Sequence, residues 1–204
     1  AALDILKAGG SAVDAAIATS FALGVLEPWM SGIGGGGAMV LYRVAERRYY
    51  VIDFGMHAPG ALDPGKYTLT GAGVVSDLFP WPLVQDDRNV HGAGAVAVPG
   101  VVDGMRVAHE RFARLPWADL LQPAIACAEQ GLLIDWFAVG AIASAAADLR
   151  RYEASKAAYL VDGLPPVPPW SAKSAVRLGQ ARIAATLRSL AERGAREFYE
   201  GALA

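Results

Sequence analysis

The chain has 204 residues, with 18 Lys and Arg against 20 Asp and Glu for a formal net charge of −2, and it is 54% hydrophobic and only 19% charged. That length suffices for one or two domains with a real core, and the balanced charge excludes the basic footprint of a nucleic-acid binder. Asp14 interrupts the longest apolar run, so no stretch reaches the roughly 18 residues that a membrane span needs.

A charged fraction below the usual ~25% marks the chain as too apolar for a free-standing domain. Part of its surface is therefore expected to be covered by other protein, and the isolated fragment is not expected to fold stably. The single Cys127 sits in the apolar run Ala124–Ala128 and reads as a small buried hydrophobe rather than a reactive thiol. The three histidines, His57, His91 and His109, lack metal-ligand spacing. No metal and no cofactor is expected.

The chain opens inside a helix, residues 1–8, and so reads as a piece whose natural start is missing. Gly9-Gly10 breaks that helix, and Ser11 is placed to N-cap the next one. Over residues 12–26, Val13, Ile17, Phe21 and Val25 recur every four residues along one stripe. Ala15, Ala16, Ala18 and Ala22 allow close packing on the other faces, so this helix is expected to lie between layers. Pro28 ends it. Val40–Val44 and Arg48–Asp53 read as two strands joined by the polar tip 45–47.

Residues 55–65 form a loop rich in Gly and Pro. From Thr68 to Ala95 runs a long irregular stretch, yet it carries Leu78, Phe79, Trp81, Leu83 and Val84, too many apolar groups for disorder. Residues 95–98 read as a short strand closed by Pro99-Gly100. Helices are expected over Val102–Phe112, from Ala118, and again from Pro123 through Ala128 with Gly131 as its cap. An Ala-rich helix covers 136–149, a proline-rich extended connector covers 160–170, and an amphipathic helix covers Ile183–Arg193. Phe198–Gly201 begins a further element. The order gives an α+β or layered α/β class, with a mainly helical region after about residue 100.

Gly32, Gly34 and Gly37 match the spacing of a dinucleotide-binding loop, but a helix precedes them and a strand follows. The fingerprint needs the reverse order, so that a pyrophosphate meets a helix N-terminus. The run reads instead as a turn with close backbone approach.

Gly9-Gly10-Ser11-Ala12-Val13-Asp14-Ala15-Ala16, then Glu27-Pro28, then Ser31-Gly32-Ile33-Gly34-Gly35-Gly36, resembles the opening pattern of the γ-glutamyltranspeptidase family. Val96-Ala97-Val98-Pro99-Gly100 with Gly104, Arg114-Leu115-Pro116-Trp117, Pro123-Ala124-Ile125 with Gly131, and Phe198-Tyr199-Glu200-Gly201 resemble four further blocks in the family's order. The resemblance implies an N-terminal-nucleophile hydrolase of layered αββα fold, left incomplete in this chain. Residues 1–204 would form the N-terminal part of one such domain, with strands and helices in 1–100 and mainly helices in 101–204. It also implies a partner, the downstream small subunit of the same precursor. The catalytic Thr would begin that subunit, so this chain alone would carry no catalytic residue and no activity. The implied substrate is a small-molecule amide, a γ-glutamyl compound or a related acyl amide.

One departure stands out. After the second strand the family carries Asp-x-Arg-Glu-x-Ala-Pro, and its Arg pairs with the substrate's α-carboxylate through a two-pronged guanidinium fork. Here the residues are Asp53-Phe54-Gly55-Met56-His57-Ala58-Pro59, with Gly55 at the Arg position and Met56 at the Glu position. Gly55, Met56 and His57 are the candidate substrate-binding residues, in a pocket altered towards apolar character. His57, Arg88 and His91 are the candidates to replace the missing cation. Loss of the Arg favours the cephalosporin or glutaryl acylase relatives as an alternative. A non-catalytic structural homologue is a second alternative.

Overall fold

The computed structural model describes residues 1–75, 80–169 and 175–204. Its elements in order are α1 (Ala2–Lys7), α2 (Ala12–Leu26), β1 (Gly37–Arg43), β2 (Arg48–Phe54), β3 (Leu69–Val75), β4 (Trp81–Val84), α3 (Val101–Phe112), α4 (Trp117–Gln130), β5 (Leu132–Leu133), α5 (Trp136–Ser144), α6 (Ala146–Leu149), α7 (Glu153–Tyr159), β6 (Arg177–Leu178), α8 (Ala181–Arg193) and α9 (Glu197–Glu200). The class is mixed helix and sheet, and from Val101 onward the named elements are helices apart from the two-residue pair β5–β6. Among the described residues no helix is long and apolar enough to cross a membrane.

The core is built on α2. Ile17, Ala18, Phe21 and Val25 are buried, and α2 packs against α4, α1 and α3. The Phe21 ring meets Trp117 edge-on at 5.6 Å, and the Trp117 indole N–H donates to the Leu190 carbonyl at 2.8 Å, tying α4 to α8. Fully buried Leu120, Leu121, Leu187 and Leu190 fill the space between those helices. Burial of side chains of this size is worth about 1.5–3 kcal/mol each.

β1 and β2 form an antiparallel hairpin in register Gly37↔Phe54 through Arg43↔Arg48. Met39, Leu41, Ile52 and Phe54 pack on the helices, while Val40, Tyr42, Tyr49 and Val51 are exposed. This is the alternation of a strand pair with one face covered. Arg47 closes the turn in the left-handed region at φ 49°.

Several expectations from the sequence are corrected. The stretch 68–95 is not irregular throughout, because β3 and β4 pair within it; Leu78 and Phe79 lie outside the described residues. The strand expected at 95–98 is a single bridge, His57↔Val98, following a short 3₁₀ turn at Ala93–Ala95. α4 runs unbroken through Pro123, although that residue has no N–H to donate. Leu120 and Leu121 before it and Ala124, Ile125 and Ala128 after it are all buried, and their packing carries the helix past the missing bond. The Ala-rich helix breaks at Ala145 (φ −94°, ψ 0°) into α5 and α6, since alanine favours helix but supplies little packing to hold one axis. Finally, α7 and the pair β5–β6 had no signal in the sequence. Leu132 and Leu178 pair across the chain around a second apolar cluster of Ile134, Ala138, Ile142 and Leu160. The proline-rich connector makes a tight turn at its start, with Val161 and Leu164 bridged, and its last residue Trp170 lies outside the described residues.

Candidate functional site

Asp53 is the penultimate residue of β2, and its Oδ1 accepts the Gly55 N–H at 3.0 Å, which turns the chain out of the strand. Two residues later the chain is held again. The His57 N–H donates to the Val98 carbonyl at 3.1 Å, and the Val98 N–H donates back at 2.8 Å. Pro99-Gly100 follows and opens α3. The Gly35 carbonyl accepts the N–H groups of Gly100 (2.9 Å) and Val101 (3.1 Å), so the glycine-rich turn docks onto the start of α3.

Phe54 is the centre of this arrangement. A Cβ on Gly36 would lie 2.7 Å from the Met56 nitrogen and 2.9 Å from the Phe54 carbonyl oxygen. A Cβ on Gly100 would overlap the same carbonyl, and one on Gly104 would overlap the Phe54 ring. Three glycines from two separate motifs are thus required by one residue of β2. Their need is close approach and not a left-handed backbone.

The near-terminal block closes the site. The Tyr199 hydroxyl donates to the Pro99 carbonyl at 2.9 Å and accepts the Asp103 N–H at 3.1 Å. Burial is the main reason its pKa is raised above the ordinary tyrosine value. Together these segments enclose a cavity of about 380 Å³, lined among others by Phe54, Gly55, His57, Pro99, Gly104, Arg196 and Tyr199. A second cavity of about 370 Å³ lies along the glycine-rich turn and shares Phe54 as a wall.

The candidate residues divide. Gly55 and His57 line the first cavity. Met56 does not; it is 58% exposed and turned to Gly36. A Cβ at Gly55 would meet only Asp53 Oδ1, at 3.4 Å, so the position is open space. Arg88 pairs with Asp86 at 3.5 Å and His91 with Asp148 at 3.5 Å; neither lines the cavity. Among the described lining residues the cationic or imidazole groups are His57 and Arg196, and the Arg196 guanidinium is already bridged to Glu200. Asp103 is taken by Arg106 at 2.7 Å, and Arg106 also pairs with Glu110 at 2.6 Å. Those bonds, Asp103 first, hold the Arg106 pKa above its ordinary value. Among the described residues no group of three or more His, Cys, Asp or Glu is placed to hold a metal ion.

Sequence reasoning had not placed Tyr199 and Arg196 at this site. The Phe-Tyr-x-Gly block was visible, but nothing local showed that it meets Pro99 some 100 residues away.

Comparison with known proteins fits this geometry. The family model described as Gamma-glutamyltranspeptidase matches residues 1–204. The acylase ACY 1 proenzyme of Pseudomonas sp. (strain V22) is 40% identical over 203 residues, covering 100% of this chain and 34% of that protein. The glutathione hydrolase proenzyme of Pseudomonas aeruginosa is 36% identical over 202 residues, covering 98% and 32%. The solved γ-glutamyltranspeptidase from Pseudomonas nitroreducens, complexed with L-DON, superposes with a TM-score of 0.76 at 32% identity, covering 99% of this chain and 54% of that one. The chain thus spans about a third of the length of the curated relatives it matches.

Proposed function

Because the chain belongs to the gamma-glutamyltranspeptidase family, we propose that it is the large-subunit part of an acyl-amide hydrolase of the acylase kind, with Gly55 and His57 on one wall of the acyl pocket and Met56 outside it. The observation that carries this reading is Gly55. The position lines the cavity, has open space, and offers no guanidinium to an α-carboxylate. The 40% identity to an acylase proenzyme supports it.

Residues 1–204 are the N-terminal part of one αββα domain. The exposed apolar face of the β1–β2 hairpin, Val40, Tyr42, Tyr49 and Val51, supports a cover supplied by the downstream subunit. The nucleophile is a Thr hydroxyl at the N-terminus of that subunit, its free amine serving as base. Attack on the amide carbonyl forms an acyl-enzyme and expels the amine, and water then releases the acid.

A γ-glutamyl reading has one observation in its favour, the presence of Arg196 and His57 on the cavity wall. It requires Arg196 to release Glu200, or His57 to serve the carboxylate.

The test uses the complete protein. A denaturing gel first shows cleavage into two chains, and a γ-glutamyl anilide is then compared with a glutaryl anilide. These differ only in the α-amino group of the head, since the glutaryl group keeps the terminal carboxylate. Preference for glutaryl supports the acylase reading. Preference for γ-glutamyl replaces it with the transpeptidase reading, and cleavage without activity on either refutes both substrates.

A further inference from the structure

A third cavity, of about 720 Å³, lies between the first turn of α2, the strand β1 and the last turn of α3. Arg43, Arg111 and Arg114 line it, and no Asp or Glu does. Three guanidinium groups around one space repel one another, and an anion among them relieves that repulsion. Arg43 pairs with Glu46 at 2.8 Å. Arg111 lies over the rings of Tyr50 (5.4 Å) and Phe112 (4.9 Å), which are 5.1 Å from each other. Stacking of this kind leaves the N–H donors on the guanidinium edge open to a carboxylate. Arg114 is anchored by its backbone N–H on Asp14, and its side chain bonds to nothing among the described residues. Neither Arg111 nor Arg114 has a carboxylate partner among those residues. The Asp14 carboxylate beneath them is fully buried and committed to Ser11 and to backbone donors.

The strand β1 sets the shape of what pairs with these groups. The cavity follows it from Met39 to Arg43, about 16 Å of extended chain. No residue of β2 lines the cavity, so it lies on the side of β1 away from β2. Among the described residues β2 is the only strand paired with β1, which leaves the backbone groups of this edge unpaired. Such an edge is a template for a further strand. Val40 and Tyr42 on the cavity wall belong also to the exposed apolar face of the hairpin. A single small anion would neither pair the edge nor cover that face; an acidic stretch of polypeptide does both. A net charge of −2 speaks against a nucleic acid in the same place.

We propose that the Arg43–Arg111–Arg114 cavity is the docking site of an acidic, extended segment of the downstream subunit, which lies along the free edge of β1 and sets carboxylates against Arg111 and Arg114. The source of the segment rests on the two-subunit reading given above. Its charge and its extended form rest on the arginines and on the edge of β1.

The experiment uses the complete protein. Phenylglyoxal modifies accessible arginines, and peptide mass spectrometry reads each position. Arg111 and Arg114 are expected to react about tenfold or more slowly than in the unfolded protein. In Arg114→Lys, a carbodiimide then condenses the new amine with any carboxylate in contact, with loss of water. The expected product joins position 114 to an Asp or Glu beyond residue 204. Free reaction of both arginines overturns the proposal, and so does shielding that appears only on addition of inorganic phosphate, which marks a small-anion site. Shielding without a cross-link shows a cover that is not acidic and overturns it equally. A denaturing gel of the same preparations separates the two ideas. A cross-link within an uncleaved chain keeps the docking and removes the two-subunit reading, and a cleaved, active protein without the cross-link does the reverse.

Discussion

The carboxylate of Asp14 accepts the backbone N–H of Leu115 at 3.0 Å, joining positions 101 residues apart in the chain. The same carboxylate accepts the Arg114 N–H at 3.0 Å, the Ser11 N–H at 2.7 Å and the Ser11 hydroxyl at 2.5 Å. It is fully buried. One side chain therefore completes the capping box of α2 and fixes the link between α3 and α4. A carboxylate with several N–H donors is satisfied in the interior without a cationic partner.

Asp14→Asn keeps the size and loses the charge, and its amide must turn an N–H₂ towards backbone donors. The expected cost is about 2–4 kcal/mol. Ser11→Ala, which removes only the cap hydroxyl, should cost about 1 kcal/mol. Thermal melts of the complete protein check both values. Burial is the largest influence on the Asp14 pKa and raises it, but the bonds from Ser11, Leu115 and Arg114 outweigh it and hold the group below its ordinary value. A carboxyl depressed in the folded state contributes stability above its unfolded pKa of about 3.9 and loses that contribution as pH falls through the folded value. The melting difference between parent and Asp14→Asn should accordingly be constant at neutral pH and shrink below about pH 4. A difference that grows on acidification would contradict the assignment.

Gly104 lies inside α3, where helix propensity alone would make Gly104→Ala stabilising by about 1 kcal/mol. The added methyl meets the Phe54 ring. Gly104→Ala is therefore expected to destabilise by about 1–3 kcal/mol. In a Phe54→Ala background the penalty should shrink without vanishing, because the Cβ of residue 54 still lies 2.5 Å from the added methyl, and the shrinkage is read as a coupling energy in a double-mutant cycle.

Gly55→Arg should fold normally, since its Cβ meets nothing closer than Asp53 Oδ1 at 3.4 Å. It restores a carboxylate-binding fork to the cavity. The ratio of kcat/KM for glutaryl over butyryl anilide, which differ by the terminal carboxylate, should rise about 10- to 100-fold, the range of one charge-assisted paired contact. An unchanged ratio would show that this position does not face the acyl head.

Tyr199→Phe removes both the bond to the Pro99 carbonyl and the acceptor for the Asp103 N–H. The expected loss is about 1–3 kcal/mol in chemical denaturation at an unchanged m-value. A change in m would point to a loosened native state rather than to two lost bonds.

Much of this protein is legible in its residues. The stripe Val13–Ile17–Phe21–Val25, the cap at Ser11 and the alternation of β1 and β2 are local patterns with a local cause, and the structure has α2 and the hairpin where they indicate. The absence of a guanidinium at Gly55 is likewise a fact of sequence alone. The family blocks and their order are also carried by the chain itself.

What the tertiary structure decided lies in contacts between distant segments. Asp14 reads in the sequence as an interruption of an apolar helix; only the approach of Arg114 and Leu115 makes it a structural centre. The glycines at 36, 100 and 104 read as turn and motif residues; only Phe54 shows that each is needed for want of a side chain. α4 passes Pro123 because packing on both sides outweighs one missing hydrogen bond, and that packing is set by α2 and α8. Propensity, capping and periodicity act over a few residues and can be read along the chain. Burial and backbone approach act across the core, so they exist only once the layers have met.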